Sequence, residues 1–386
     1  MKLTPLSPAL VLLLTLLWGC GAPPVDTASV STVDATTADA SELNESTWRD
    51  CLPGQPCLTP FEVKVVVVAM FEIGEDEGDT AGEFQLWKAR QKLTERIAFP
   101  QGHHDLFLNP ETGVLGTVTG IGTMNSAATT MALGLDQRFD LSRAYWLVAG
   151  IAGIDPEDAS IGSAVWSTWL VDGDLGHEID AREIPGDWPF GYFARHTQYP
   201  FDPERPQNKG EVFKTNGALR DWAFDLTKDV DLGDSEALEA ARMTYTEHPN
   251  AQRPPFVTRG GHIAAMTFWH GRLMNDWANR WVNYWSDGAT DFVTSAMEET
   301  GTFRSITYLH EIDRVDKNRF MVLRSGSNYT MQPPGVSAAE NLLRENSGYA
   351  GLNTAVESLY RVGSVVVQDI LDNWSSYKTT LPASDS

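Results

Sequence analysis

The sequence predicts an α/β protein: one domain over residues 61–376 in which a central mixed, largely parallel sheet is flanked by helices. Three stretches predict it. Val63 to Phe71, VKVVVVAMF, is a β-branched run of the kind found in strands covered on both faces, as parallel sheets require. Val114 to Ser126, VLGTVTGIGTMNS, is a strand that ends in Gly120 and Gly122 and runs directly into the helical AATTMALGL. Phe320 to Ser325, FMVLRS, is an apolar run with the length and flanks of a buried strand.

Ahead of that domain, Lys2, the apolar run from Ala9 to Leu17 and the following Trp18-Gly19-Cys20 read as a leader ending in a small residue before cysteine. The run is about nine residues, half of what a transmembrane helix needs. Residues 1–19 are expected to be a lipoprotein signal peptide and Cys20 its lipidated product terminus; an ordinary signal peptide cut nearby is the alternative. The expected address is the cell envelope, lipid-anchored and facing the periplasm or exterior. Residues 20–60 read as a tether, because Gly21 to Thr47 is Ala, Thr, Ser and Asp with almost no aromatic residue and too polar to bury a core. Cys51 and Cys57 enclose LPGQP and, in an exported chain, are expected to close a small disulfide loop. Net charge over the 386 residues is −23. Phosphate backbones demand Lys and Arg stripes that this chain lacks, so nucleic acid is excluded as a partner.

Along the domain, the loop Glu72 to Asp79 is strongly acidic and reads as solvated. Phe84 to Ile97 reads as an amphipathic helix through Leu86, Arg90, Leu93 and Ile97. Arg143 to Gly153 and Ala164 to Val171 read as further strands, and Gly150 and Gly153 suggest close backbone approach at a strand end. Pro185 to Glu211 is irregular and rich in Pro, Trp and Tyr, a loop expected over the mouth of the sheet. Thr215 to Lys228 and Ser235 to Tyr245 are helical by pattern, the second capped by Ser235. Pro254 to His270 reads as a strand, a glycine turn and an aromatic cluster, and Asn353 to Trp374 as a long helix packed on the sheet. Asp172, Asp174, His177 and Glu178 have no regular ligand spacing, and His103-His104 has no partner at helical spacing, so neither metal nor cofactor is expected.

The chemistry gathers between Thr294 and Asn328. Glu298 sits at a short polar helix start, and Asn328 lies just past the FMVLRS strand, where open α/β sheets place ligands. The pair Met297-Glu298, followed by a strand ending in Arg324-Ser325-Gly326-Ser327-Asn328-Tyr329, resembles the Met-Glu ribose clamp and the Ser-Asp or Asn base contact of nucleoside phosphorylases and nucleosidases. MEETGT, LRSGSNY and the upstream FWHGRLMNDWANRWVNYW resemble the purine nucleoside permease family, which is related to that fold, and the likeness runs from Val63 to Trp374.

The resemblance implies a nucleoside-phosphorylase-like domain. It places Met297 and Glu298 on ribose and Ser327 and Asn328 on the base, with one ring beside the base drawn from Phe268, His262, Trp269 and His270. It places Gly120, Gly122, Thr123 and Asn125 at the pocket floor. Two departures bear on turnover. Carboxylates from Glu75 to Asp79 stand where related phosphorylases hold phosphate, and repel an anion; Asn328 stands where adenine-type nucleosidases use an aspartic acid, and cannot release a proton. The expected function is therefore extracytoplasmic purine nucleoside binding for uptake, with a nucleoside N-ribosyl hydrolase, and less so a phosphorylase, as the alternative. The expected partners are a small-molecule nucleoside, a membrane through the lipid anchor only, and a membrane transport protein or further copies of the chain.

Overall fold

The long apolar runs become the inner strands of one ten-stranded sheet. In the computed structural model, which describes residues 47–384, these strands are β1 (Val65–Ala69), β2 (Glu95–Ile97), β3 (Leu106–Asn109), β4 (Val114–Val118), β5 (Tyr145–Ile154), β6 (Ala164–Asp172), β7 (Val212–Lys214), β8 (Val257–Ala264), β9 (Phe292–Ala296) and β10 (Phe320–Tyr329). The helices are α1 (Gln85–Arg90), α2 (Thr123–Leu135), α3 (Gly217–Thr227), α4 (Glu236–Arg242), α5 (Arg272–Ser286), α6 (Glu299–Glu311), α7 (Ala338–Glu345) and α8 (Leu352–Asp372). The expectations for the signal peptide, for Cys20 and for the tether as far as residue 46 lie outside the described residues. Cys51 and Cys57 are joined by a disulfide.

The sheet is mixed, with β1 parallel to β4 and β5, β5 to β10, and β8 to β6 and β9. Period-two alternation along β1 sends Val65, Val67 and Ala69 to one core and Val66, Val68 and Met70 to the other. On the first face they meet Trp87 of α1, Leu219 and Trp222 of α3, and Leu359, Val362, Val366 and Ile370 of α8. On the second they meet Leu133 of α2 and Phe303, Ile306 and Leu309 of α6. Strands β5, β10, β6, β8 and β9 also pair in a closed ring, which leaves the inner strands no free edge.

At one point this closure opens a fork. The edge of β5 away from β10 pairs with β1 at Tyr145 to Val148 and with β9 only at Gly153 and Ile154. Between the two ladders, the Ile151 backbone is left to side chains: its N–H donates to Glu83 Oε1 at 2.7 Å, and its carbonyl accepts from Arg324 at 2.7 Å. A buried strand cannot leave such groups unpaired, so the fork recruits polar side chains into the middle of the molecule.

Several sequence expectations change here. The helix expected over residues 84–97 stops at Arg90; Lys92 takes φ 51° and Glu95–Ile97 pairs antiparallel with β3. Phe84, Trp87 and Leu93 serve one core and Ile97 the other, which a single helical face could not do. Gly260 and Gly261 form no turn. They lie within β8 at a register shift, where a Cβ on Gly261 would stand 2.8 Å from the Asp291 carbonyl. The irregular stretch from Pro185 packs Phe190, Tyr192 and Phe201 against the tryptophans of α5 and does not line the cavity beside Glu298 and Asn328. The acidic loop is not simply solvated, because Glu72 folds back to accept the N–H groups of Gly82, Phe84 and Gln85 at the start of α1.

Candidate functional site

Arg324 directly follows the apolar run Phe320 to Leu323 of β10, is 1% exposed, and the site is built around how its charge is met. Its Nη2 donates to Glu298 Oε2 at 2.8 Å, its Nε to Glu299 Oε1, and its Nη1 to the Ile151 carbonyl, with Glu83 Oε1 at 3.9 Å. Glu298 is the residue just before α6, and Glu299 is its first residue. Glu299 in turn meets His262 Nε2 at 2.7 Å, and His262 Nδ1 meets Thr294 at 2.9 Å. Gly150 makes room for the cluster, since a Cβ there would run into Met70, Arg324 and Glu83.

Glu83 and Glu299 differ in charge because their surroundings differ. Burial pushes Glu83 up to about 8, opposed by Arg324 and assisted by the nearby Glu298. Burial acts on Glu299 in the same sense, but there the positive charge of Arg324, and then that of His262, outweighs it and holds the carboxyl well below the usual range. One buried guanidinium thus keeps its nearest carboxylate ionised, while the more distant Glu83 retains a proton near neutrality.

Against this cluster opens a cavity of about 290 Å³. It is lined by Met297, Glu298, Arg324 and Glu83, which belong to or adjoin this cluster, and by Ser327, Asn328, Phe268 and Tyr349. Gly153 of β5 also lines it and pairs with Ser295 of β9 on one side and Asn328 of β10 on the other. Phe268 and Tyr349 stand parallel, with 6.3 Å between ring centroids and 9° between planes. Glu298 is already well occupied: Oε1 accepts from Gly122 N–H at 2.9 Å, and Oε2 from Arg324 and from Met297 N–H at 3.2 Å. A carboxylate offers about four acceptor positions, so roughly one remains for a ligand hydroxyl.

A family model described as purine nucleoside permease matches residues 62–382. The chain belongs to the purine nucleoside permease family. A probable purine nucleoside permease of Schizosaccharomyces pombe is 29% identical over 286 residues, 72% of this chain and 80% of that relative. A purine nucleoside permease of Candida albicans is 27% identical over 327 residues, 83% of this chain and 78% of the relative. Among solved structures, a 5′-methylthioadenosine/S-adenosylhomocysteine nucleosidase from Neisseria meningitidis aligns with a TM-score of 0.45 at 16% identity, over 80% of this chain and 99% of that one. The futalosine hydrolase of Helicobacter pylori aligns with a TM-score of 0.45 at 15% identity, over 80% and 98%. Neither structural likeness carries an argument about chemistry.

In this purine nucleoside permease family member, Met297, Glu298, Ser327, Asn328 and Phe268 line one cavity. His262 does not: it is wholly buried and reaches the cavity only through Glu299 and Arg324. The glycine turn is also one step removed. Gly120 and Gly122 take φ 82° and 93°, the left-handed region that lets the Gly122 N–H turn onto Glu298. Thr123 is not among the cavity's lining residues, and its N–H is directed at the Met266 sulfur. Asn125 does not line the cavity either, and bonds back to the Ile121 carbonyl. The turn therefore orients the carboxylate through Gly122 and reaches the cavity through Ile121. Sequence reasoning missed Glu83, Glu299, Arg324 and Tyr349. Arg324 left a signal, a cation inside FMVLRS that must be paired when buried. Glu83 left none, because it is recruited by the fork.

Proposed function

We propose that this chain binds a purine nucleoside in the 290 Å³ cavity and acts in nucleoside uptake by capture. The observation that carries this reading is that one cavity is lined by an oriented carboxylate, an amide and two parallel rings. Glu298 would accept a ribose hydroxyl, and Met297 would lie on the sugar's apolar face. Phe268 and Tyr349 would stack on the base, and Asn328 would read its edge. No helix among the described residues is long and apolar enough to cross a membrane. Transport would then depend on a membrane partner or on further copies of the chain, with Cys20 as the expected anchor to the cell envelope. Replacing Cys20 by serine should release the protein from the membrane fraction; unchanged partitioning would refute that anchor.

One observation favours a second reading, N-ribosyl hydrolysis. Glu83 lines the cavity and titrates near 8, within reach of the operating range of a general base. Ionised Glu83 would take a proton from water as its oxygen bonds to the sugar's anomeric carbon. The carbon–nitrogen bond would break and the base would leave with its electron pair. The loop between Phe71 and Glu83 starts and ends at this cavity and carries Glu75, Asp76, Glu77 and Asp79, which disfavours phosphate as the attacking group.

The deciding experiment titrates inosine, guanosine, adenosine and uridine by calorimetry, with and without phosphate, while following free base. Binding with no base released supports capture, and phosphate-independent release supports hydrolysis. No heat with any nucleoside would remove both readings. For folded Glu298→Ala, nucleoside affinity should fall by about 2 kcal/mol, roughly thirtyfold, through loss of a charged hydrogen bond.

A further inference from the structure

Asn328 also lines a second cavity, of about 420 Å³, on the far side of the base-reading amide. Its wall there is α7, whose last residue, Glu345, takes part in neither the ribose nor the base contacts proposed above. Asn328 Nδ2 donates to Glu345 Oε2 at 3.2 Å and to the Tyr329 carbonyl at 3.3 Å, while Asn328 Oδ1 accepts from the Ser327 hydroxyl at 3.0 Å. Glu345 lines only the second cavity, so the amide end turned away from it is the end left to the first.

This arrangement has two hydrogen-bonded states. With Glu345 ionised, it can only accept, so it holds the amide NH2 and leaves the amide oxygen toward the nucleoside cavity. With Glu345 protonated, its O–H can donate to the amide oxygen, which turns the NH2 toward Ser327. The Ser327 hydroxyl then accepts from that NH2 and sends its own proton to the Ala152 carbonyl, 3.3 Å away. In the second state the Tyr329 carbonyl gives up its 3.3 Å bond from Asn328, so the new bond from the Glu345 carboxyl proton must outweigh that loss to set which atom faces the base.

We propose that Glu345 is a specificity-determining positioning residue: its protonation state sets the orientation of the Asn328 amide and thereby selects 6-aminopurine or 6-oxopurine nucleosides. The inference rests on the nucleoside reading of the first cavity. An amide oxygen facing the base accepts from an exocyclic amino group, and an amide NH2 donates to a carbonyl at the same position. Glu345 is suited to the role because burial pushes its carboxyl up to about 7, opposed by the Asn328 bond.

The groups around it leave that titration unobscured. Asn341, one turn earlier on α7, donates to Glu345 Oε1 at 3.3 Å and does not ionise. His270, bonded to Asn341, is pushed down to about 4 by burial and stays neutral. Burial raises the hydroxyls of Tyr245 and Tyr349, and the Glu345 charge raises them further. Arg344 is paired with Glu340 at 3.0 Å. Within the first cavity Glu83 also titrates, near 8, and a Glu345 variant retains it.

The test measures inosine and adenosine affinities of the full chain by calorimetry between about pH 5.5 and about pH 8, a window that brackets the titration. Preference should move toward adenosine as pH rises, by about tenfold in the affinity ratio, one hydrogen bond's worth. In Glu345→Gln the ratio should be flat while both nucleosides still bind. A ratio that shifts equally in the variant, or does not shift in the parent, overturns the proposal. The ligand-free protein supplies a separate check through the nuclear magnetic resonance signals of the Asn328 side-chain amide. They should titrate with a midpoint near 7 in the parent and not in Glu345→Gln. A silent amide overturns the proposal even if nucleosides bind. An amide that titrates while no nucleoside produces heat overturns the binding reading and, with it, the selectivity assigned to Glu345.

Discussion

Arg324 bonds Glu298 and Glu299 inside the protein and holds Glu299 ionised, and removing it would leave two buried carboxyl groups without their cation. Breaking a buried pair in this way costs about 3–5 kcal/mol, so Arg324→Leu should lose most of its stability in urea unfolding, and Arg324→Lys should not restore it because one ammonium cannot reach three acceptors in a plane. Glu83 gives a prediction of opposite charge dependence. Its carboxyl titrates near 8 when folded and near 4 when unfolded, so the folded state holds a proton that the unfolded state has released. That contribution to stability is complete below about pH 4 and is lost as pH rises toward 8, at up to about 1.4 kcal/mol per pH unit. Glu83→Gln should therefore flatten the decline in unfolding free energy between pH 5 and pH 8, and a slope equal to that of the parent would show that Glu83 is ionised throughout.

At the scale of elements, the site depends on a forked strand and a turn. β5 parts from β1 after Val148 and meets β9 only at Gly153, and the gap is filled by Glu83 and Arg324 over the vacant side of Gly150. The turn before α2 needs glycine for a second reason: Gly122 takes φ 93°, and a Cβ there would stand 2.6 Å from the Met266 sulfur. Gly122→Ala should cost about 1–3 kcal/mol in thermal unfolding from backbone strain. It should weaken nucleoside binding as well, because the displaced N–H no longer orients Glu298; a stability loss with unchanged affinity would separate the turn from the site. The sequence showed this turn as a glycine pair between strand and helix. It did not show that the backbone amide would face a side chain 176 residues away.

At the scale of the whole molecule, charge dominates. With a net charge of −23, the folded chain repels itself, and added salt should raise its melting temperature by screening. Burial also raises Asp155 to about 6 and Asp158 and Glu345 to about 7, beside Glu83 near 8. All four groups shift in the same sense, so each favours the folded state at low pH and withdraws that support as pH climbs through its folded value. Melting temperature should therefore be higher at pH 5.5 than at pH 8.5, by about 2–4 °C for each kcal/mol of difference. A melting temperature that rises over this range would show that these carboxyl groups are ionised in the folded protein.

The sequence by itself determined the strands with apolar runs, such as VVVVA and the FMVL of FMVLRS, and the long helix through Val362, Val366 and Ile370. Burial on both faces of a sheet, or along one stripe of a helix, leaves a local record in residue type. The family resemblance set Met297 and Glu298 on ribose and Ser327 and Asn328 on the base, and the structure brings all four to one cavity. Only the tertiary structure decided which atoms those residues offer. β9 and the edge strands are short and partly polar, and the closed ring of five strands is made by pairings between segments far apart in sequence. Glu83 enters the centre because a backbone gap in β5 requires it, His262 leaves the cavity for Glu299, and Glu345 reaches Asn328 from a separate helix. Each of these depends on which polar groups are left unpaired after the strands have found their partners, and that remainder has no pattern until the chain is folded.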